Sequence, residues 1–328
     1  MATRVAIDAL GGDHAPDEVV AGALEAAADT IAPVLFGPPS LDTEGLELVP
    51  CTEKIEMHEK PADAVRGKPD SSLVRAVRAV GDGSAAAVVS AGNTGAALAA
   101  SLLHIRRLPG VMRPGIAIVI PGRNGPTVLI DAGANADARP EHLAQFAHMG
   151  VVFAEEILDV RDPSVRLLSI GEESEKGNQL TLEAHALLQA ADLRFDGNTE
   201  GRTLLEGDAD VVVCDGFTGN VALKTLEGTI RSILDALRTE IRRSTRGRIG
   251  GLLIRPAARG LRARLDPETT GGGYLLGLKG LVVIAHGSSS HVAIANATRM
   301  AARGVEHRLV ERLAARLPTE RSETRAVG

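Results

Sequence analysis

The chain has 328 residues, a net charge of −6, no Trp and one Tyr. That length can bury a sizeable core as one large α/β domain or as two joined ones, while the acidic balance and the shortage of rings speak against a general nucleic-acid binder. Two cysteines far apart in sequence, Cys51 and Cys214, argue against a disulfide framework or a zinc site; with no basic-then-apolar leader and no run of about 18 apolar residues, a soluble intracellular protein is expected.

Along the chain, short apolar runs rich in Val and Ile alternate with longer amphipathic stretches. "RVAIDAL", "APVLFG", "AAAVVSAG", "GIAIVIP", "TVLIDAG", "VRLLSIG", "ADVVVCDG" and "LVVIAHG" read as strands with little polar alternation, as expected where helices cover both faces of a sheet. The class is α/β, a Rossmann-like sheet. Residues 139 to 158 place Leu143, Phe146, Ala147, Gly150, Val151, Ala154, Ile157 and Leu158 at helical spacing, with Pro140 near the start, and predict a core-facing helix. Residues 1–328 are expected to form a single catalytic body with a basic helical insertion at about 241–265. That segment contains eight arginines and no acid, so the rest of the chain carries −14. Gly250, Gly251, Pro256 and Gly260 are expected to break it into two short helices around "GLLI".

Most of these strands end in the same vocabulary: "IDALGGDHAP", "VSAGNTGA", "IDAGANAD", "SIGEESEKGN", "CDGFTGN" and "IAHGSSS". Ligands of open parallel sheets bind outside the carboxyl ends of strands, where glycines allow close backbone approach and helix N-termini present free N–H groups. The six turns are expected to line one cleft. Taken alone, Ser90, Asn93 and Thr94, or Asn178, are as readily helix caps as ligand contacts. Asp8 and Asp131 close otherwise apolar strands, where a carboxylate costs free energy unless paired or functional. His14, after Gly11, Gly12 and Asp13, is either a site residue or a surface turn residue, and His286 either a site residue or a satisfied core histidine. Lys176 opens a helix entry as an anion partner or as a salt-bridge partner of Glu172, Glu173 or Glu175. Lys68, near Arg66, Ser71 and Ser72, belongs to an anion-gripping loop or a charged lid. Neither a Walker-type phosphate loop nor a G-x-S-x-G nucleophile elbow occurs, so the chemistry must rest on positioning two reactants.

Seven ordered motifs, "IDALGGDHAP", "RGKPDSSL", "SAGNTGA", "DAGAN", "GEESEKGN", "DGFTGNVALKTLEG" and "GLKGLVVIAHGSS", resemble those of the bacterial phosphate acyltransferases of the PlsX family, collinearly from about residue 3 to about residue 310. The departures are Leu10, where the family usually has Met, and Gly67 with Pro69 and Asp70 in the "RxKxSS" loop. The resemblance implies transfer of an acyl group from acyl carrier protein to inorganic phosphate, feeding the first acylation of glycerol 3-phosphate. It further implies a homodimer, a fold similar to phosphotransacetylases and to isocitrate and isopropylmalate dehydrogenases, and peripheral contact with the membrane near a downstream glycerol-3-phosphate acyltransferase. No metal or cofactor is expected. In that chemistry Asn220 and nearby N–H groups of the turn holding Asp215, Thr218 and Gly219 are expected to donate to the thioester oxygen, Lys176 to neutralise phosphate, and His14 or His286 to protonate the departing thiolate or donate to the oxyanion, with Asn135 lining the site. The arginine-rich segment then suits acidic carrier protein, anionic lipid, or only a solvated hairpin. Competing readings are acyl transfer with coenzyme A, a nicotinamide-dependent dehydrogenase, and a non-catalytic carrier-protein scaffold.

Overall fold

The structure, a computed structural model, describes residues 2–28, 30–265 and 267–317. In chain order the elements are β1 (Thr3–Asp8), α1 (Asp17–Ala26), β2 (Ile31–Gly37), β3 (Glu47–Pro50), α2 (Pro61–Gly67), α3 (Ser72–Gly81), β4 (Ala87–Ser90), α4 (Thr94–His104), β5 (Gly115–Pro121), β6 (Pro126–Ile130), α5 (Pro140–Leu158), β7 (Val165–Ser169), α6 (Gln179–Ala190), β8 (Phe195–Glu200), β9 (Val211–Val213), α7 (Gly216–Arg242), α8 (Thr245–Leu265), α9 (Pro267–Thr270), β10 (Gly273–Leu276), β11 (Leu281–Ile284), α10 (His291–Glu306) and α11 (Leu309–Arg316). All eleven strands join one sheet in the order β3-β2-β1-β4-β11-β10-β5-β6-β9-β7-β8.

Strand direction divides that sheet. β3, β2, β1, β4 and β11 run parallel to one another, and so do β6, β9, β7 and β8. Between the two sets, β10 is antiparallel to both β11 and β5, and β5 is antiparallel to β6, so the two sets run in opposite directions. The strands that carry the six turns therefore do not all end on one edge of the sheet. The ends of β1, β4 and β11 lie on one edge and those of β6, β7 and β9 on the other. Apolar runs such as Ala87–Ser90, Val211–Val213 and Leu281–Ile284 are buried whichever way they run, which is why their sequences carry no sign of the reversal.

Alternation along β1 sends Val5 and Ile7 to one face and Ala6 to the other. The first face is covered by α1, α5, α10 and α11, the second by α2, α3 and α4. Leu223 of α7 packs on that second face, beside Ala222 and Leu226, which cover Leu129 and Val212. The predicted helix over 139–158 is α5.

The basic segment is not two short helices: residues Thr245–Leu265 form one, with Pro256 inside it. An internal Pro costs about 3 kcal/mol by removing an N–H and crowding the carbonyl four residues earlier. Here that carbonyl belongs to Leu252, on a turn where Leu252 and Leu253 are exposed and water can serve the freed acceptor. Glycine has a packing use rather than a breaking one, since a Cβ on Gly251 would lie 2.5 Å from Ile241 Cγ2 on α7. No described helix is long and apolar enough to cross a membrane.

Candidate functional site

β1 ends on Asp8, which is fully buried and accepts the hydroxyls of Ser72 (2.6 Å) and Ser90 (2.7 Å). Burial pushes its carboxyl above the usual range, against the pull of those two hydrogen bonds. Ser90 Oγ also accepts from Gly92 N at 3.0 Å. Asp8 and Ser90 thus bind β1, β4 and the start of α3 together under the loop of Gly11, Gly12 and Asp13. That loop is docked on the turn after β11, where Asp13 N donates to Gly287 O at 2.7 Å. Gly12 there takes a φ of +108°, which glycine alone adopts without strain.

At the far edge Asp131 is buried and receives five N–H groups. Its Oδ1 accepts from Ile116, Gly133 and Ala134, and its Oδ2 from the backbone and side-chain nitrogens of Asn135, all within 3.0 Å. Burial again raises its carboxyl, opposed by these bonds. Asn135 Nδ2 also donates to Pro114 O, and Gly216 N donates back to Asn135 O at 2.8 Å, which seats the first turn of α7 on the 131–135 loop. The fit is close: a Cβ on Gly219 would stand 1.9 Å from Asp131 O.

Several expected site residues are thus structural. Asp215 caps α7, accepting from Thr218 N at 2.9 Å and Thr218 Oγ1 at 2.7 Å. With Gly219 N bound to Asp215 O and Gly216 N to Asn135 O, three amides of this turn are taken within the chain. Of the donors expected here, the N–H groups of Gly216, Thr218 and Gly219 are thus occupied within the chain, while the Asn220 side chain is not. Asn220 is exposed, its side chain makes no hydrogen bond among the described residues, and it lies beside Gly133, where an added Cβ would be 3.6 Å from its Oδ1. Asn93 caps α4 through Ala96 N and donates to Met57 O and Glu59 O, while Thr94 follows it half-buried. Asn178 caps α6 through Thr181 N. Lys68 is paired with Glu59 and donates to Lys54 O at 2.8 Å, so its ammonium is held within the chain in this structure.

Lys176 is exposed on the loop after β7 and makes no ion pair with Glu172, Glu173 or Glu175. β7 pairs with β9, whose end launches α7, yet no hydrogen bond or ion pair links Lys176 to Asn220 among the described residues. His14 is exposed in the turn before α1, near Glu18, whose carboxylate binds His291.

His286, in contrast, is engaged. Its Nε2 meets the Lys224 ammonium, and its Nδ1 meets Ser288 Oγ at 3.0 Å. Lys224 donates at 3.0 Å to Glu227, whose carboxylate lies 3.7 Å from His286. Burial and the Lys224 charge lower the pKa of His286, while Glu227 acts to raise it. Lys224 and Glu227 lie inside the motif "DGFTGNVALKTLEG" but are not among the expected site residues, because on a helix they read as solvated charges. The available signal is spacing: Asn220, Lys224, Glu227 and Arg231 fall at i, i+4, i+7 and i+11 and share one stripe of α7. One helix therefore joins the two edges of the sheet, touching the 131–135 loop at Asn220 and the turn after β11 at Lys224. No three described His, Cys, Asp or Glu side chains form a group suited to a metal ion.

This reversed, eleven-stranded sheet has the fold that solved phosphotransacylases share with 4-hydroxythreonine-4-phosphate dehydrogenases. A branched-chain phosphotransacylase from Enterococcus faecalis superposes with a TM-score of 0.61, covering 93% of this chain and 99% of its own, at 19% identity. The chain belongs to the fatty acid synthesis protein family, which matches residues 3–312, and the resemblance of its seven motifs to the PlsX phosphate acyltransferases is borne out. It is 45% identical to the phosphate acyltransferase of Heliobacterium modesticaldum, covering 96% of this chain and 98% of that one. With the phosphate acyltransferase of Pelotomaculum thermopropionicum it shares 47% identity over 94% of this chain and 93% of the relative.

Proposed function

We propose that the chain transfers an acyl group from the thioester of acyl carrier protein to inorganic phosphate, giving acyl phosphate and the free carrier thiol. Near-full-length kinship with phosphate acyltransferases carries this reading. A phosphate oxygen bonds to the carbonyl carbon, the carbonyl electrons move onto oxygen, and collapse of that tetrahedral state breaks the C–S bond. The sulfur departs as thiolate and takes up a proton. Phosphate is nucleophilic at neutral pH, so no covalent enzyme intermediate is needed, and the protein's task is to align the reactants and hold the oxyanion. The free amide of Asn220 is the proposed oxyanion donor. Unpaired Lys176 is the proposed counter-charge to phosphate, reaching in from the loop after β7. His14, exposed and with no side-chain hydrogen bond among the described residues, is the proposed proton source, since His286 is engaged at both ring nitrogens.

The whole chain would act as one catalytic body, paired as a homodimer. Ile233, Leu237, Ile249, Leu252, Leu253 and Ile254 are exposed along α7 and α8, and the eight arginines from 242 to 264 surround the α8 members of that set. This hairpin is the part offered to a second copy, to acidic carrier protein, or to an anionic membrane surface next to the acyltransferase that consumes the product.

The test is hydroxylamine-trapped acyl phosphate formed from long-chain acyl carrier protein and phosphate. Phosphate-dependent product is expected, and Lys176→Ala is expected to lower it. Product from coenzyme A thioesters alone would assign instead the coenzyme A reaction, and no product from either thioester would leave only a scaffold.

A further inference from the structure

We propose that Lys224 is a phosphate-contacting catalytic residue, aimed by Glu227 and His286; this deepens the acyl-transfer reading and rests on it for the identity of the nucleophile. An ammonium group has three N–H donors. One goes to Glu227 Oε2 and one to His286 Nε2, and the structure gives the third no partner among the described residues. The Lys224 side chain is 45% exposed, so a ligand can reach it, whereas Glu227 is 16% exposed and serves as a fixed anchor. Two held donors fix the direction of the third, which a lone surface lysine lacks.

Position strengthens the assignment. Lys224 is one turn, about 6 Å, beyond Asn220 on the same stripe of α7. An oxyanion held by the Asn220 amide and a phosphate held by Lys224 would then lie side by side, as attack of one on the other requires. His286 can accept from Lys224 only while its Nε2 is unprotonated; on the ring's other side Nδ1 meets Ser288 Oγ at 3.0 Å and the Ser288 N–H at 3.3 Å. The charged groups around the imidazole are Lys224, Glu227 and Arg231 on α7 and Asp13 on the loop docked against the β11 turn. Protonation of His286 would put two cations in contact and release Lys224 from its aim.

The experiment uses the full chain and inorganic phosphate alone, with binding followed by phosphorus NMR line-broadening, beside steady-state acyl phosphate formation. A charge-assisted hydrogen bond is worth about 1.5–3 kcal/mol, so Lys224→Met is expected to weaken phosphate binding about 10- to 100-fold. The phosphate KM should rise by the same factor while the KM for the thioester stays within about twofold, and Lys224→Arg should recover part of the loss. Glu227→Gln removes a charge that raises the His286 pKa, so the acid limb of the phosphate KM profile should move to lower pH, a readout that a merely structural role would leave in place. Phosphate binding by Lys224→Met or Lys224→Gln within twofold of the wild type overturns the inference. Phosphate binding that depends on Lys224 without acyl phosphate formation from any thioester overturns the acyl-transfer reading and leaves the binding site standing.

Discussion

The loop that follows β6 and the helix that follows β9 touch each other, yet they use their polar groups in opposite ways. In the 131–135 loop every polar atom of Asp131 and the amide nitrogen of Asn135 are bonded inside the chain. On the outer stripe of α7, Asn220 makes no such bond and Lys224 keeps a donor in hand. A glycine-rich, carboxylate-bearing motif is therefore mostly framework here, and few of its groups are left to meet a substrate.

Asn220→Ala should separate the two regions most sharply. Loss of one oxyanion donor costs about 10²- to 10³-fold in rate, while an exposed substitution without internal partners should change stability by no more than about 0.5 kcal/mol. Turnover of trapped acyl phosphate against a denaturant melt checks both halves. Equal loss in the two measurements would place Asn220 in the framework instead. Gly219→Ala should do the reverse. Its new Cβ would be driven to 1.9 Å from a backbone carbonyl, which cannot rotate away, so α7 must lift from the loop. Overpacking of this kind costs about 1–3 kcal/mol or more, visible as a lower melting temperature.

This contrast also explains what the sequence discloses. The turns are legible because glycine, Asn and Asp at strand ends have local reasons to be there, and Asp8 and Asp131 are legible as buried carboxylates because an apolar strand end has no other use for one. Whether such a residue faces a ligand or the chain is not a local property: Asp131 is satisfied partly by Ile116 N, from a strand fifteen positions earlier. Sheet direction is hidden for the same reason. The β8 segment "FDGNTE" lacks an apolar run because it is the sheet edge, and "GYLL" of β10 is too short to stand out. Lys224 and Glu227 were in plain view at helical spacing, but charges at that spacing are what any solvated helix shows, and only the contact with His286, 62 residues away, singles them out.

The smallest predicted effects test the framework from within, through its two buried carboxylates. Asp131 faces donors only, so Asp131→Asn sets an amide NH₂ against N–H groups and should cost about 1–3 kcal/mol at neutral pH. Asp8 faces two hydroxyls, which can turn to accept as well as donate, and the Leu10 N–H, which the amide oxygen of Asn can still accept, so Asp8→Asn should cost less than about 1 kcal/mol. The sign of its pH dependence follows from burial. The folded pKa of Asp8 is raised, so as pH climbs from the unfolded value near about 3.9, the folded chain keeps a proton that the unfolded chain has released. Stability from that proton falls as pH rises through the folded value and is flat above it. Asn has no proton to lose, so the difference between Asp8→Asn and the wild type should move in the variant's favour between acid and neutral pH, measured by denaturant melts at several pH values. A deficit that instead grows with pH would mean that the Asp8 carboxylate is held charged by its serines, and the two carboxylates would then be one kind of anchor rather than two.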